Sequence, residues 1–210
     1  MKNIDSNGNK KKENKTEKDI FYEFVNEFIA ESDRAAVILG TAKLDFLLYQ
    51  ILTKYFIPVA GSSDDLLEGD SPLTTFSSKI NICYRLGIID TQFARTLHLI
   101  RKIRNSFAHE ISGCNLDTGP HMDRIREMVA PFSKSEAFKD VQRAFVDKKT
   151  GIAADYFTIL TLIVIKLESI FSKIEPLLQN EMSKLIPQKY TSIYKQEVIS
   201  GELEQHHEDK

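Results

Sequence analysis

The sequence predicts an all-α fold: an irregular bundle of five to seven helices that ends in a long C-terminal helix. Three observations carry this. Apolar residues recur every three or four positions along most of the chain, and no stretch alternates with period two for long enough to build a sheet. Ser, Asp, Gly and Pro also fall where the apolar periodicity starts and stops, as helix caps and breakers do. No segment repeats at a fixed spacing, which removes solenoids and propellers.

The elements follow in order. Residues 1–18 are rich in Lys, Asn and Glu and hold too little apolar surface to offset the entropy of ordering, so they read as a disordered tail. They contain no apolar core of a signal peptide. A first helix is expected from Asp19 to Ala30, with Ile20, Phe21, Phe24, Val25 and Phe28 on one stripe. Ser32 or Asp33 caps a second helix, Arg34 to Phe56, which Pro58 ends. Apolar stripes run on two of its sides, one through Ile38, Leu39, Ala42, Phe46 and Tyr49 and the other through Val37, Leu44, Leu48 and Ile51, so it reads as central or shared between subunits.

Val59 to Asp70 reads as a surface loop with an acidic turn. Ser71-Pro72 then predicts a third helix through Leu86, closed by Gly87, and Asp90 caps a fourth that ends near Ser112-Gly113. Shorter pieces are expected at Met122–Val129 and Glu136–Val146. The last helix is expected from Gly151 to Leu185 with a kink at Pro176. Its residues Ala153, Phe157, Leu160, Val164, Leu167, Phe171, Ile174 and Leu178 form a coiled-coil-like seam, and Ile163, Ile170 and Leu177 a second row, one face for the core and one for a partner. One helical domain thus spans 19–187, and 188–210 is a flexible tail.

Composition bounds the function. With 42% hydrophobic residues in 210, the chain buries a core of its own. Its 28 basic and 30 acidic side chains leave a net charge of -2, so any nucleic acid must meet a local patch. The longest apolar stretch, Phe157 to Ile165, stops at Lys166 and falls short of the roughly 20 residues of a spanning helix. Two cysteines, Cys83 and Cys114, lack metal-ligand spacing and suit free thiols in a reducing compartment. A cytoplasmic location is expected, with no membrane partner.

The chemistry concentrates in Ile103-Arg104-Asn105-Ser106-Phe107-Ala108-His109. On a regular helix Leu97, Ile100, Arg104, Phe107 and Ile111 share a face, which places Arg104 in the apolar stripe, while Arg101, Asn105 and His109 form an adjoining row. Arg104 and His109 then point about 140° apart, and two copies across a twofold axis would be needed to aim both at one atom. An imidazole with a pKa of about 6.5 can move the 2′-hydroxyl proton of RNA, and a guanidinium can hold the charge on phosphate. Asn105 would orient the phosphate or the ring, and Arg101 and Lys102 would hold the RNA backbone. The same residues also read as a structural clamp, with Arg104 a buried cation against helix carbonyls or Asp45, and His109 capping the helix C-terminus. The residues alone leave both readings open.

Two family resemblances bear on this cluster. Arg104-Asn105-Ser106-Phe107-Ala108-His109 resembles the motif of the HEPN superfamily, all-helical dimers that include metal-independent ribonucleases as well as non-catalytic members. That resemblance implies Arg104 and His109 as a catalytic pair at a dimer interface, with Asn105 between them. A longer stretch looks like the mannitol operon repressor family: Leu66-Leu67-Glu68-Gly69-Asp70-Ser71-Pro72-Leu73, Phe76-Ser77-Ser78-Lys79-Ile80 and Tyr84-Arg85-Leu86-Gly87-Ile88-Ile89, with Arg34 through Asp45 upstream and the arginine-histidine helix downstream. It covers residues 33–110 and implies a homodimeric transcriptional regulator. The chain contains no short helix-turn-helix with a basic recognition helix, so regulation through a protein partner is expected, with a ribonuclease as the alternative.

Other sites are weaker. Asp64, Asp65, Glu68 and Asp70 offer oxygen ligands without calcium-loop spacing, and His206-His207 with Glu204, Glu208 and Asp209 offer a tail that takes up zinc adventitiously. Neither predicts a metal site. A phosphate-binding Gly-rich loop, a nucleophile elbow and an HExxH pair are all missing, so no cofactor is expected.

Overall fold

The computed structural model describes residues 31–179 except 60, 62, 111, 112, 118 and 146–148, together with 19, 22, 23 and 26. The apolar residues of the expected first helix and both expected tails lie outside the described residues. Six helices have described bounds: α1 (Asp33–Tyr55), α2 (Phe76–Arg85), α3 (Thr91–His109), α4 (Gly119–Val129), α5 (Glu136–Arg143) and α6 (Gly151–Lys173). The described part of the chain contains no strand, and the all-α expectation holds.

Capping sets most helix starts. The side chains of Ser32, Thr75, Asp90 and Ser135 accept hydrogen bonds from the backbone N–H of Ala35, Ser78, Phe93 and Phe138, each satisfying a donor with no intrahelical partner. The third predicted helix therefore starts later than expected, at Phe76 after the Thr75 cap. Ser71-Pro72 instead lies in the preceding turn, where the Ser71 hydroxyl donates to Glu68 O. After α2 the chain reverses at Gly87, whose φ of 71° favours glycine, while Leu86 N–H and Ile88 N–H reach back to Ile82 O and Cys83 O.

α1 and α6 are the central pair and run side by side in the same direction. Lys149, just before α6, pairs with Asp33 at the start of α1 (3.0 Å), and Lys54 at the end of α1 donates to Phe171 O near the end of α6 (2.9 Å). Between those ends the Leu160 side chain seats against the α1 backbone at Gly40, where an added Cβ would lie 2.5 Å from Leu160 Cδ2. α2 and α3 pack on one another and on α1, α4 and α5 pack on α6, and α3 meets α4. The buried hydroxyls of Thr41, Thr158 and Thr161 are satisfied by carbonyls four residues back, at Val37, Ala154 and Phe157.

Three expectations change here. α6 stops at Lys173 and does not continue through Pro176, because the residue before a proline is driven out of the helical region and the chain is extended from Ile174. The second α6 row turns inward only in part: Ile163 is buried, Ile170 is half-buried, and Leu177 is exposed beyond the helix end. On α1 the stripe through Val37, Leu44, Leu48 and Ile51 is the core face, whereas Leu39 and Phe46 of the other stripe are about half exposed. By length and hydropathy α1 would suffice to cross a membrane, but nine of its residues are buried in the bundle. Contacts divide the chain into a unit ending at Glu175 and a second from Pro176.

Gly40→Val should force the Leu160 methyls out of place and lower stability by roughly 1–3 kcal/mol, the cost of overpacking a filled core. Urea denaturation checks this, and a loss above the range would mean that the α1–α6 backbones themselves separate.

Candidate functional site

The arginine-histidine helix forms as predicted, but its charges do not lie where the apolar stripe suggested. Leu97, Ile100, Ile103 and Phe107 of α3 are buried, and Arg104 is exposed at the rim of that stripe. The stripe is centred on Ile103 and Phe107, so a long side chain one position to the side escapes to solvent. Asp45 does not serve Arg104. It pairs with Lys79 of α2 at 2.7 Å, and its Oδ1 has no hydrogen-bond donor besides that ammonium. Arg104 donates from Nη1 to Oδ1 of its neighbour Asn105 at 3.0 Å.

His109 is the last residue of α3 and is exposed. The capping role expected of it falls to Arg34, from the first turn of α1, whose guanidinium donates to Phe107 O (2.6 Å) and Glu110 O (2.5 Å). A two-pronged donor suits two adjacent orphan carbonyls at a negative helix end. α3 is unbroken from Thr91 to His109, so Arg104 and His109 stay about 140° apart on one chain. Lys102 is exposed, and Arg101 is half-buried with an Nε that has no partner.

Arg104 borders a groove of about 400 Å³ between α1 and α2. Its walls are apolar, from Ile38, Ala42, Phe46, Tyr49 and Phe76, and its polar groups are the Lys79–Asp45 pair, Thr41 and Arg104. Lys79 Nζ is nearly enclosed, held by Asp45 and by the Tyr49 ring at 5.8 Å. Phe46 stacks on Tyr49, and the Tyr49 hydroxyl faces Glu68 Oε1 at 3.4 Å, which fastens the acidic loop to α1. In that loop two of the four carboxylates accept from backbone: Asp64 Oδ1 from Leu66 N and Leu67 N, and Glu68 Oε2 from Asp64 N.

A second cluster, absent from the sequence reading, lies where α3 gives way to α4. Glu110, Cys114 and His121 bring a carboxylate oxygen, a thiol and a ring nitrogen within 4.8 Å of one another. Gly113, with φ of 80°, reverses the chain between the first two. His121 is 5% exposed and lies against the Phe107 ring, centroids 5.2 Å apart. Burial, then Arg124, lowers the pKa of His121, with Glu110 opposing. Burial, then Glu110, raises the Cys114 thiol, with Arg34 opposing. The sequence carries the signal as Glu-x3-Cys-x6-His, a spacing outside the C-x2–4-C and H-x3–5-H patterns that mark common zinc sites. Arg34 gave no such signal, because its partners are carbonyls far along the chain. The His206-His207 tail lies outside the described residues.

No protein-family model matches the sequence, and no curated protein matches it significantly. Solved structures do. In fold the chain is similar to the MtlR chain of the MtlR–HPr complex from Escherichia coli, at TM-score 0.53 and 15% identity, over 71% of this chain and 98% of that one. It is also similar to YggD from Shigella flexneri, described as a possible transcriptional regulator, at TM-score 0.54 and 16% identity, over 75% of this chain and 98% of that one. At this identity the likeness is one of fold, and it agrees with the longer of the two resemblances read from the sequence.

Two outcomes follow from these contacts. Arg34→Ala should cost about 1–3 kcal/mol by leaving two carbonyls of the α3 end without their donor, and Arg34→Lys should recover only part because an ammonium cannot fork. Denaturant melts of both variants check this. His98 on α3 meets Asn81 Oδ1 at 3.0 Å, and its pKa is lowered by burial, then by Arg101 and Lys102. Its neutral form is therefore favoured in the fold. The unfolded ring takes up a proton first as pH falls below about 6.5, so stability is full above that pH and declines toward the lowered folded value. Melts of wild type and His98→Gln between about pH 7 and pH 5 should show the smaller decline in the variant.

Proposed function

We propose that this chain is a cytoplasmic regulator of transcription that acts by docking a protein partner, and that it works as a homodimer. The observation that carries this is the α1–α2 groove: an apolar trough with half-exposed Phe46 on its α1 wall and a fixed Lys79–Asp45 pair and Arg104 at its polar points. Exposed aromatic and arginine side chains around such a depression are the residue types that dominate protein interfaces. The fold neighbour MtlR in complex with HPr supports a protein as the partner, and YggD supports the regulatory reading.

The second reading is a metal-independent ribonuclease. Its supporting observation is that Arg104 and His109 are both exposed on one helix, with Arg104 held by Asn105. Arg101 and Lys102 would then hold the RNA backbone, and the 140° separation would require each site to take its arginine and histidine from two chains.

Titration calorimetry with an HPr protein tests the first reading. Binding weakened about tenfold or more by Phe46→Ala and by Arg104→Glu supports it, and binding indifferent to both overturns the groove as the docking surface. Labelled single-stranded RNA in EDTA tests the second. Cleavage lost in His109→Ala, at an unchanged melting temperature, would establish the nuclease. Because Arg104 and His109 are exposed, neither variant should disturb the core. Sedimentation that finds only monomer at micromolar concentration would remove the shared site.

A further inference from the structure

We propose that Glu110, Cys114 and His121 form a binding site for Zn²⁺, with water as the fourth ligand. The three donors come from the residue that caps α3, the loop after it and the first turn of α4, so two are fixed by helix ends and the third by a short reversal. Tetrahedral zinc with bonds of about 2.3 Å to sulfur and 2.05 Å to nitrogen places those two ligand atoms about 3.5 Å apart. Cys114 Sγ and His121 Nε2 are 3.4 Å apart. The carboxylate of Glu110, within 4.8 Å of both, is exposed and closes the remaining gap by side-chain rotation.

His121 is buried, and its Nε2 meets the Cys114 thiol, a weak hydrogen-bond partner whose place a metal would take. Its Nδ1 lies on the other side of the ring, has no hydrogen-bond partner and would not be a ligand. Mixed sulfur, nitrogen and oxygen donors select zinc over calcium or magnesium, which take oxygen alone. A thiolate and a carboxylate together neutralise the dication. The charged groups beside the site are Arg34, near Cys114, and Arg124, near His121, both of which disfavour a cation that lacks the two anionic ligands. Bound metal would pin the end of α3 to the start of α4, directly after His109, whichever function the groove serves.

Cobalt(II) titration of the chelator-treated full chain reads the site. The expected result is one equivalent bound, with a thiolate-to-cobalt charge-transfer band and the visible bands of tetrahedral cobalt, reversed by zinc. Cys83 is fully buried with its pKa pushed up to about 12, so the thiolate signal belongs to Cys114. Cys114→Ser should abolish the band. Glu110→Gln, at an exposed position that leaves folding intact, should weaken binding about 100-fold or more, since loss of a direct ligand exceeds the 10- to 100-fold effect of an outer partner. Replacing His206 and His207 together by Ala should change neither. No charge-transfer band in the wild type, a band that survives Cys114→Ser, or uptake that disappears only with the two tail histidines would each overturn the site.

Discussion

The close approach of α1 and α6 at Gly40 is the constraint on which the rest of the molecule depends. With no side chain there, Leu160 seats directly against the α1 backbone, and the two longest described helices share one core. This contact turns α1 so that Val37, Leu44, Leu48 and Ile51 face inward, and that same rotation leaves Leu39 and Phe46 outside. The groove is therefore a by-product of how α1 meets α6: a helix with two apolar stripes has one left over once the first is buried. α2 covers part of it with Phe76 and Lys79, and what remains open is the trough that Arg104 borders.

Electrostatics is organised around helix ends. Arg34 closes the end of α3, Lys54 the end of α6, and Lys149 joins Asp33 at the start of α1, so long basic side chains tie elements far apart in sequence. Each is directed at carbonyls or at one carboxylate, which is where a cation gains most against its loss of hydration. The enclosed Lys79 differs, since it depends on a single acid and a ring face. It fixes the register of α2 against α1 and sets the polar character of the groove.

Much of the fold was legible because helices announce their ends. Asp90, Ser32 and Gly87 acted as read, and the periodicity located α1, α3 and α6. The start of α2 was misplaced because Thr75 and Ser71 are both good caps, and only tertiary packing chooses between them: Phe76 is buried and Pro72 is exposed. The site was less legible. Spacing placed Arg104 in an apolar stripe, yet helical position fixes only the Cβ, and a side chain with a flexible stem can leave the stripe it starts from. The pairing of Asp45 with Lys79 in place of Arg104 is likewise a choice made by three helices at once. Partners that are backbone carbonyls, such as those of Arg34, leave no trace in residue identity.

The exposed position of Arg104 separates the chemistry of the groove edge from folding. Its guanidinium contributes to that edge without filling any part of the core, so exchange of this one residue alters the charge of the surface while the bundle beneath is untouched. A lineage that carries this architecture is free to vary that edge at little risk to its capacity to fold.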